Sequence, residues 1–314
     1  MKKTFASSFF WLTISATLIG SSAFAAPPDN FGSVPPGFTS QTLATTTDGA
    51  TLHYVRGGNG PAIILLHGFP EDWTEYRSIM PRLAQNFTVV AVDLPGLGGS
   101  GPATNGYDAA HLAIDIRGLV VALKLDHAYL VGHDLGGIVA YAYLRQFADS
   151  LRGAMILDVP VPGIAGWEEA TAGMWHIGFL QTPDLPEKMV DGKQSEFLGH
   201  FLDIAKFTAQ QRNYYFRIYG LNQLHSAFEI FRAFPEDGRW NVTQSELVNT
   251  PLTFVVGENS FFARFRQTVT NGFSAKNIPN VDSATVPKAS HYMIADNSSA
   301  VADLVEKKAL PIKR

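Results

Sequence analysis

Six short apolar runs constrain this chain more than any other feature: residues 62–66, 87–92, 128–131, 154–157, 252–256 and, more weakly, 283–286. Runs this short, with little polar alternation, suit strands covered on both faces, as in a parallel sheet. Between them Trp73, Tyr76, Met80 and Leu83 recur at helical spacing, as do Leu112, Ile116, Leu119 and Leu123. The alternation predicts an α/β fold with a mostly parallel, doubly wound sheet. The rhythm stops over residues 159–248. There the apolar positions keep a helical period (Leu198, Phe201, Leu202, Ala205; Tyr215, Tyr219, Leu224), with Pro160, Pro162 and Gly163 at the entry and Thr250-Pro251 at the exit. That interval is expected to be a helical cap inserted into a core made of residues 26–158 and 249–314. A cap over the ends of parallel strands would enclose a dry pocket.

The first 25 residues read differently. Lys2 and Lys3 precede an apolar stretch over residues 9–19 and a small-residue site at Ala23-Phe24-Ala25. This is the layout of a secretory signal peptide, with an apolar stretch short for a membrane span. The expectation is export to the periplasm or the medium, a mature chain beginning near Ala26, and no stable membrane insertion after cleavage. The 314 residues include no cysteine, which excludes disulfides, thiol catalysis and cysteine-ligated metals. A net charge of −4 without a basic run gives no reason to expect nucleic acid as a partner. Oligomeric state is not legible.

Gly132-His133-Asp134-Leu135-Gly136 follows the third run and precedes an apolar helix carrying Ile138, Val139, Tyr141 and Ala142. A strand–turn–helix with glycines two residues either side of its centre is the setting of a nucleophile elbow. The central residue is an aspartate, an anion at neutral pH that needs no base to activate it. The elbow resembles that of the α/β-hydrolase fold, and the other parts follow in that fold's chain order. His67-Gly68-Phe69-Pro70 would supply the Phe69 amide to an oxyanion hole completed by the amide of Leu135, with His67 itself structural. His291, late in the chain, would be the base. Asp158, 24 residues after the nucleophile, would be the acid orienting it, with Glu258 in reserve. Many relatives carry that acid in a Gly-Glu-x-Asp pattern, and here the segment reads Gly257-Glu258-Asn259-Ser260.

At these residues the chain resembles the epoxide hydrolase and dehalogenase branch of the α/β-hydrolases, closest to the secreted Cif-like epoxide hydrolases. The shared features are the signal peptide, the His-Asp-Leu-Gly elbow, the acid moved to Asp158-Val159-Pro160-Val161-Pro162, and a cap pair Trp175-His176. The resemblance implies a small hydrophobic epoxide as substrate, no metal or organic cofactor, and His176 as hydrogen-bond donor to the epoxide oxygen. A second donor, a tyrosine, would fall at Phe231, which lacks the hydroxyl; Tyr215 or Tyr219 could substitute. Trp175, Phe179 and Phe231, with Phe234, are expected to line the pocket. Dehalogenation is the alternative, but its halide or carboxylate cradles would need Trp or Arg where Leu135 and Ile138 stand, and a cap His-Trp-Tyr set that maps to His176, Ile177 and Phe231. A ligand-binding protein with little turnover is a further reading.

Overall fold

The computed structural model describes residues 31–45 and 49–310; the expected signal segment, residues 1–25, lies outside them. Eight strands form one sheet: β1 (Phe38–Ala44), β2 (Thr51–Gly57), β3 (Ala62–Leu66), β4 (Thr88–Val92), β5 (Ala128–His133), β6 (Leu151–Leu157), β7 (Leu252–Gly257) and β8 (Val281–Val286). Their spatial order is β1-β2-β4-β3-β5-β6-β7-β8, with β2 antiparallel to both its neighbours, β1 and β4, and β3 to β8 parallel to one another.

Each apolar run splits its side chains between two layers, as a two-residue period requires. Ile64 and Leu66, Val90 and Val92, Leu130, Ile156 and Phe254 face one layer with the helices Ala109–Ala122 and Leu135–Phe147. Ile63 and Leu65, Val89 and Ala91, Val131, Met155 and Val255 face the other, against Tyr76, Met80, Leu83, Val301 and Val305. Each such aliphatic side chain contributes about 1.5–3 kcal/mol on full burial, so the sheet centre is the stable platform of the molecule.

Two elements depart from the sequence reading. The β1–β2 hairpin was not among the apolar runs, because β1 is largely exposed and β2 alternates between buried and half-buried positions. The expected helix from Trp73 to Leu83 is a 3₁₀ turn (Trp73–Tyr76) followed by a single α-turn (Met80–Leu83). Pro81 accounts for the break: it starts a helical turn readily but cannot sit inside one without losing a hydrogen bond.

Between β6 and β7 lie six helices, Trp167–Thr171, Trp175–Gln181, Leu185–Val190, Gln194–Leu202, Ala209–Ile218 and Leu221–Thr243, and no strand among the described residues. They cover the carboxyl ends of the parallel strands. Among the described residues no helix is long and apolar enough to cross a membrane.

Candidate active site

Asp134, Asp158 and His291 come from three loops at the carboxyl ends of β5, β6 and β8, and meet. Asp134 has φ +47° and Asp158 φ +50°, conformations that cost a non-glycine residue about 1–3 kcal/mol and persist only where the surroundings enforce them. At the elbow the enforcement is steric. A Cβ on Gly132 would lie 2.1 Å from the Gly136 carbonyl oxygen, and one on Gly136 2.3 Å from that of Leu66. Only glycine lets β5, the turn and the next helix pass this closely.

The Asp134 carboxylate is held from two sides. The Phe69 N–H donates to Oδ1 at 3.0 Å, and Oδ2 lies 3.6 Å from His291 Nε2. Burial acts to raise the Asp134 pKa, but the hydrogen bonding and charge of His291, with His133 and the Phe69 N–H, outweigh it and hold the carboxyl well below the usual carboxylate range. His291 shows the mirror effect. Burial acts to lower its pKa, yet the two carboxylates Asp134 and Asp158 outweigh that and push it up to about 10. His291 Nδ1 donates to Asp158 Oδ2 at 2.9 Å, which turns Nε2 toward Asp134.

Asp158 is fully buried and its carboxylate accepts three hydrogen bonds, from His291, from the Gly257 N–H at 2.9 Å and from the Ser260 hydroxyl at 2.5 Å. A buried carboxylate without such partners would be costly. Ser260 occupies the position where an acid was sought, and its hydroxyl donates to the acid that stands one strand earlier. Glu258, held in reserve for this role, is exposed, and its carboxylate accepts the Lys288 N–H at 2.7 Å instead; a side chain in that loop is turned away from His291.

Leu135 opens the helix Leu135–Phe147, whose first-turn amides have no acceptor within the helix. Of the two expected donor amides, that of Phe69 contacts the Asp134 carboxylate, and that of Leu135 belongs to the residue next in the chain. His67 is fully buried, accepting the Leu94 N–H at Nε2 and bonding the Gly68 carbonyl through Nδ1, which is a framework position.

Above the carboxylate is an apolar cavity of about 160 Å³ whose wall includes Ile138, His176, Ile177, Phe231 and Phe234. Asp134 and His291 side chains, each 19% exposed, reach it from the floor, and the exposed Ile204 and Phe261 mark its mouth. Burial pushes His176 down to about 4, so its imidazole is neutral at neutral pH, and it has no hydrogen-bond partner among the described residues. Its N–H is available to a guest.

Two expected pocket residues are elsewhere. Trp175 is 54% exposed and packs tilted against Phe179 and edge-on to His200, and Phe179 packs on Phe197; neither lines the cavity. The reason is helix phase. Positions 175 and 179, four apart, share one face of Trp175–Gln181, whereas His176 and Ile177 turn inward. The substitute donors fail as well. The Tyr215 hydroxyl donates to Glu71 Oε1 and that of Tyr219 to the Glu71 carbonyl, both behind the cavity wall. Phe231 does line the cavity, edge-on to Phe69 and His176.

Residues 61–298 match the family described as alpha/beta hydrolase fold, and the chain belongs to that family. It is 42% identical over 117 residues to the soluble epoxide hydrolase of Corynebacterium sp. (strain C12), covering 37% of this chain and 41% of the relative. It is 36% identical over 157 residues to the fluoroacetate dehalogenase of a Burkholderia species, covering 47% and 51%. These matches span about half or less of the two relatives. Cfl2 of Burkholderia cenocepacia superposes with a TM-score of 0.79 at 28% identity, over 87% of this chain and 96% of that one. Within the family, the likeness to the soluble epoxide hydrolase and to further proteins described as epoxide hydrolases supports the epoxide hydrolase branch.

Proposed function

We propose that this protein is an epoxide hydrolase that opens a small hydrophobic epoxide to a diol through an ester on Asp134. The observation that carries the reading is a carboxylate held ionised at the floor of an apolar cavity, with a neutral, unpartnered imidazole in the cavity wall. In the first step Oδ2 attacks a ring carbon, the carbon–oxygen bond breaks, and the departing oxygen takes the His176 N–H as hydrogen bond. Esterification removes the Asp134 charge that helps hold the His291 proton, so one proton becomes available as the alkoxide needs one. In the second step neutral His291, oriented by Asp158, takes a proton from water, which attacks the Asp134 carbonyl carbon. The oxyanion forms on Oδ1, where the Phe69 N–H already points, with the Leu135 amide as second donor. Collapse breaks the Cγ–Oδ2 bond, the departing alkoxide takes the second proton of the attacking water, and diol release returns Asp134 as carboxylate and His291 as imidazolium.

The dehalogenase alternative meets a specific obstacle. No Arg or Lys lines the cavity among the described residues, and Ile138 and Ile177 contribute apolar wall where a haloacetate carboxylate or a halide would need donors. Assaying diol formation from aryl and alkyl epoxides against fluoride, chloride or bromide release from haloacetates and haloalkanes tests the choice. Halide release without diol would replace the proposal. Reversible binding of epoxides without turnover would favour a ligand-binding role. The pattern of residues 1–25 supports export as the setting of this chemistry.

Phe231→Tyr adds a hydroxyl to the cavity wall beside His176. A second donor to the leaving oxygen is expected to raise the rate of ester formation roughly 10- to 100-fold, leaving ester hydrolysis unchanged, as rapid-quench kinetics would show.

The His291 pKa gives a further expectation. A base acts only when deprotonated, so the ester-hydrolysis rate should fall as pH is lowered. Its apparent pKa should lie below the value of about 10 in the free enzyme, since the Asp134 charge is absent from the ester. Ester formation needs the Asp134 anion, the neutral His176 imidazole and the His291 proton, all present between about pH 4 and about pH 10, and should be flat over that range. Single-turnover profiles separate the two.

A further inference from the structure

We infer that Glu75, which the proposed chemistry does not use, is a positioning residue that joins the loops carrying the oxyanion donor, the nucleophile and the base. Its side chain is 2% exposed, and Oε2 accepts the Gly68 N–H at 2.8 Å, one residue before the donor amide of Phe69. Its Oε1 lies 3.1 Å from Nδ1 of His133, the residue before Asp134. The His133 ring is fully buried, and its Nε2 is 3.0 Å from the main-chain oxygen of His291. A single carboxylate thus reaches three segments that are far apart in sequence.

The chemistry of the contacts fixes how the link works. A carbonyl oxygen only accepts, so His133 Nε2 carries the hydrogen that binds His291. Neither Nδ1 nor Glu75 Oε1 has a hydrogen-bond partner assigned to it among the described residues. Two bare acceptors 3.1 Å apart in a dry site would be strongly unfavourable, so one proton lies between them. Glu71 packs against the same group. Burial and the neighbouring Glu75 push it well above the usual carboxylate range, and the Tyr215 hydroxyl and the Gly68 carbonyl occupy its Oε1 and its main-chain N–H.

Both groups that serve the second step hang on this link: the Phe69 N–H through Gly68, and His291 through its own main chain. Loss of the Glu75 carboxylate should therefore slow ester hydrolysis more than ester formation. This rests on the two-step reading above, so the test has one arm that needs no substrate.

In that arm, hydrogen exchange is compared for wild type, Glu75→Ala and Glu75→Gln. The alanine variant should exchange faster in both segments 67–70 and 289–292, with the rest of the sheet unchanged; wild-type exchange in either segment overturns the proposal even if no epoxide is ever turned over. In the kinetic arm, Glu75→Ala should lose roughly 10- to 100-fold in kcat, with KM falling in parallel and the ester accumulating by intact-protein mass spectrometry. A fall in kcat at constant KM without ester is loss of active protein and overturns it. Glutamine keeps both contacts and the net charge of the pair: its carbonyl accepts from Gly68 and its N–H donates to Nδ1. It should restore kcat, KM and exchange, and failure to restore them while folded overturns a positioning role. Metal analysis completes the test, because a stoichiometric divalent ion in wild type, lost in Glu75→Ala, would make the three buried side chains ligands instead.

Discussion

Glutamine at position 291 should leave the enzyme stopped half-way, with Asp134 alkylated and water unable to finish the reaction. Ester formation draws on the Asp134 anion and the cap imidazole His176, neither of which is removed. Ester hydrolysis draws on Nε2 of His291, and an amide cannot take a proton from water. A general base commonly contributes 10²- to 10⁴-fold, so kcat should fall on the order of 10³-fold or more. The loss should come with a burst of one ester per site. Mass analysis of the peptide carrying Asp134 checks both parts. A His291→Gln variant that forms no adduct with any epoxide, while the wild type makes diol, would mean that attack does not proceed through Asp134.

The largest effect is expected at the nucleophile itself. Asp134→Asn preserves shape and keeps an oxygen to accept the Phe69 N–H, but it replaces an anion with a neutral amide. It also removes the partner that, with Asp158, holds the His291 proton, so the His291 pKa should drop from about 10. Turnover should fall by a factor on the order of 10⁴ or more, as for loss of a nucleophile acting within a unit. No ester should form, and the His291 titration should be visibly shifted by NMR. The two observations together separate lost chemistry from lost structure: a variant that is inactive but titrates like wild type would not contain the pair described here.

Much of this arrangement was legible because local rules governed it. Strands β3 to β7 announced themselves as short, mostly apolar runs because both of their faces are covered. The elbow was legible from its two glycines, whose Cβ positions are filled by backbone. What stayed hidden depended on phase or on distance. One residue along a helix turns a side chain by about 100°, so the aromatic content around residue 175 could not say that His176 faces the cavity while Trp175 faces solvent. Ser260 was visible as a missing acid, but its partnership with Asp158 is a contact across two strands. Glu75 carried no signal, since its partners Gly68, His133 and, through His133, His291 converge only once the sheet has formed. The edge hairpin β1–β2 escaped because an exposed strand has no need of an apolar run.

The mouth framed by Ile204 and Phe261 bears on the direction of traffic. An epoxide carries one weak acceptor, and the cavity offers it the His176 N–H. The diol brings two hydroxyl groups into the same space, each able to donate as well as accept. An unpaired hydroxyl in such surroundings costs roughly 1–3 kcal/mol, so the product partitions toward water where the substrate partitioned away from it. The passage needs no moving gate to favour departure. In the proposed reaction the change in polarity would do that, and the apolar rim would act as a filter that admits the reactant more readily than it readmits what the reactant becomes.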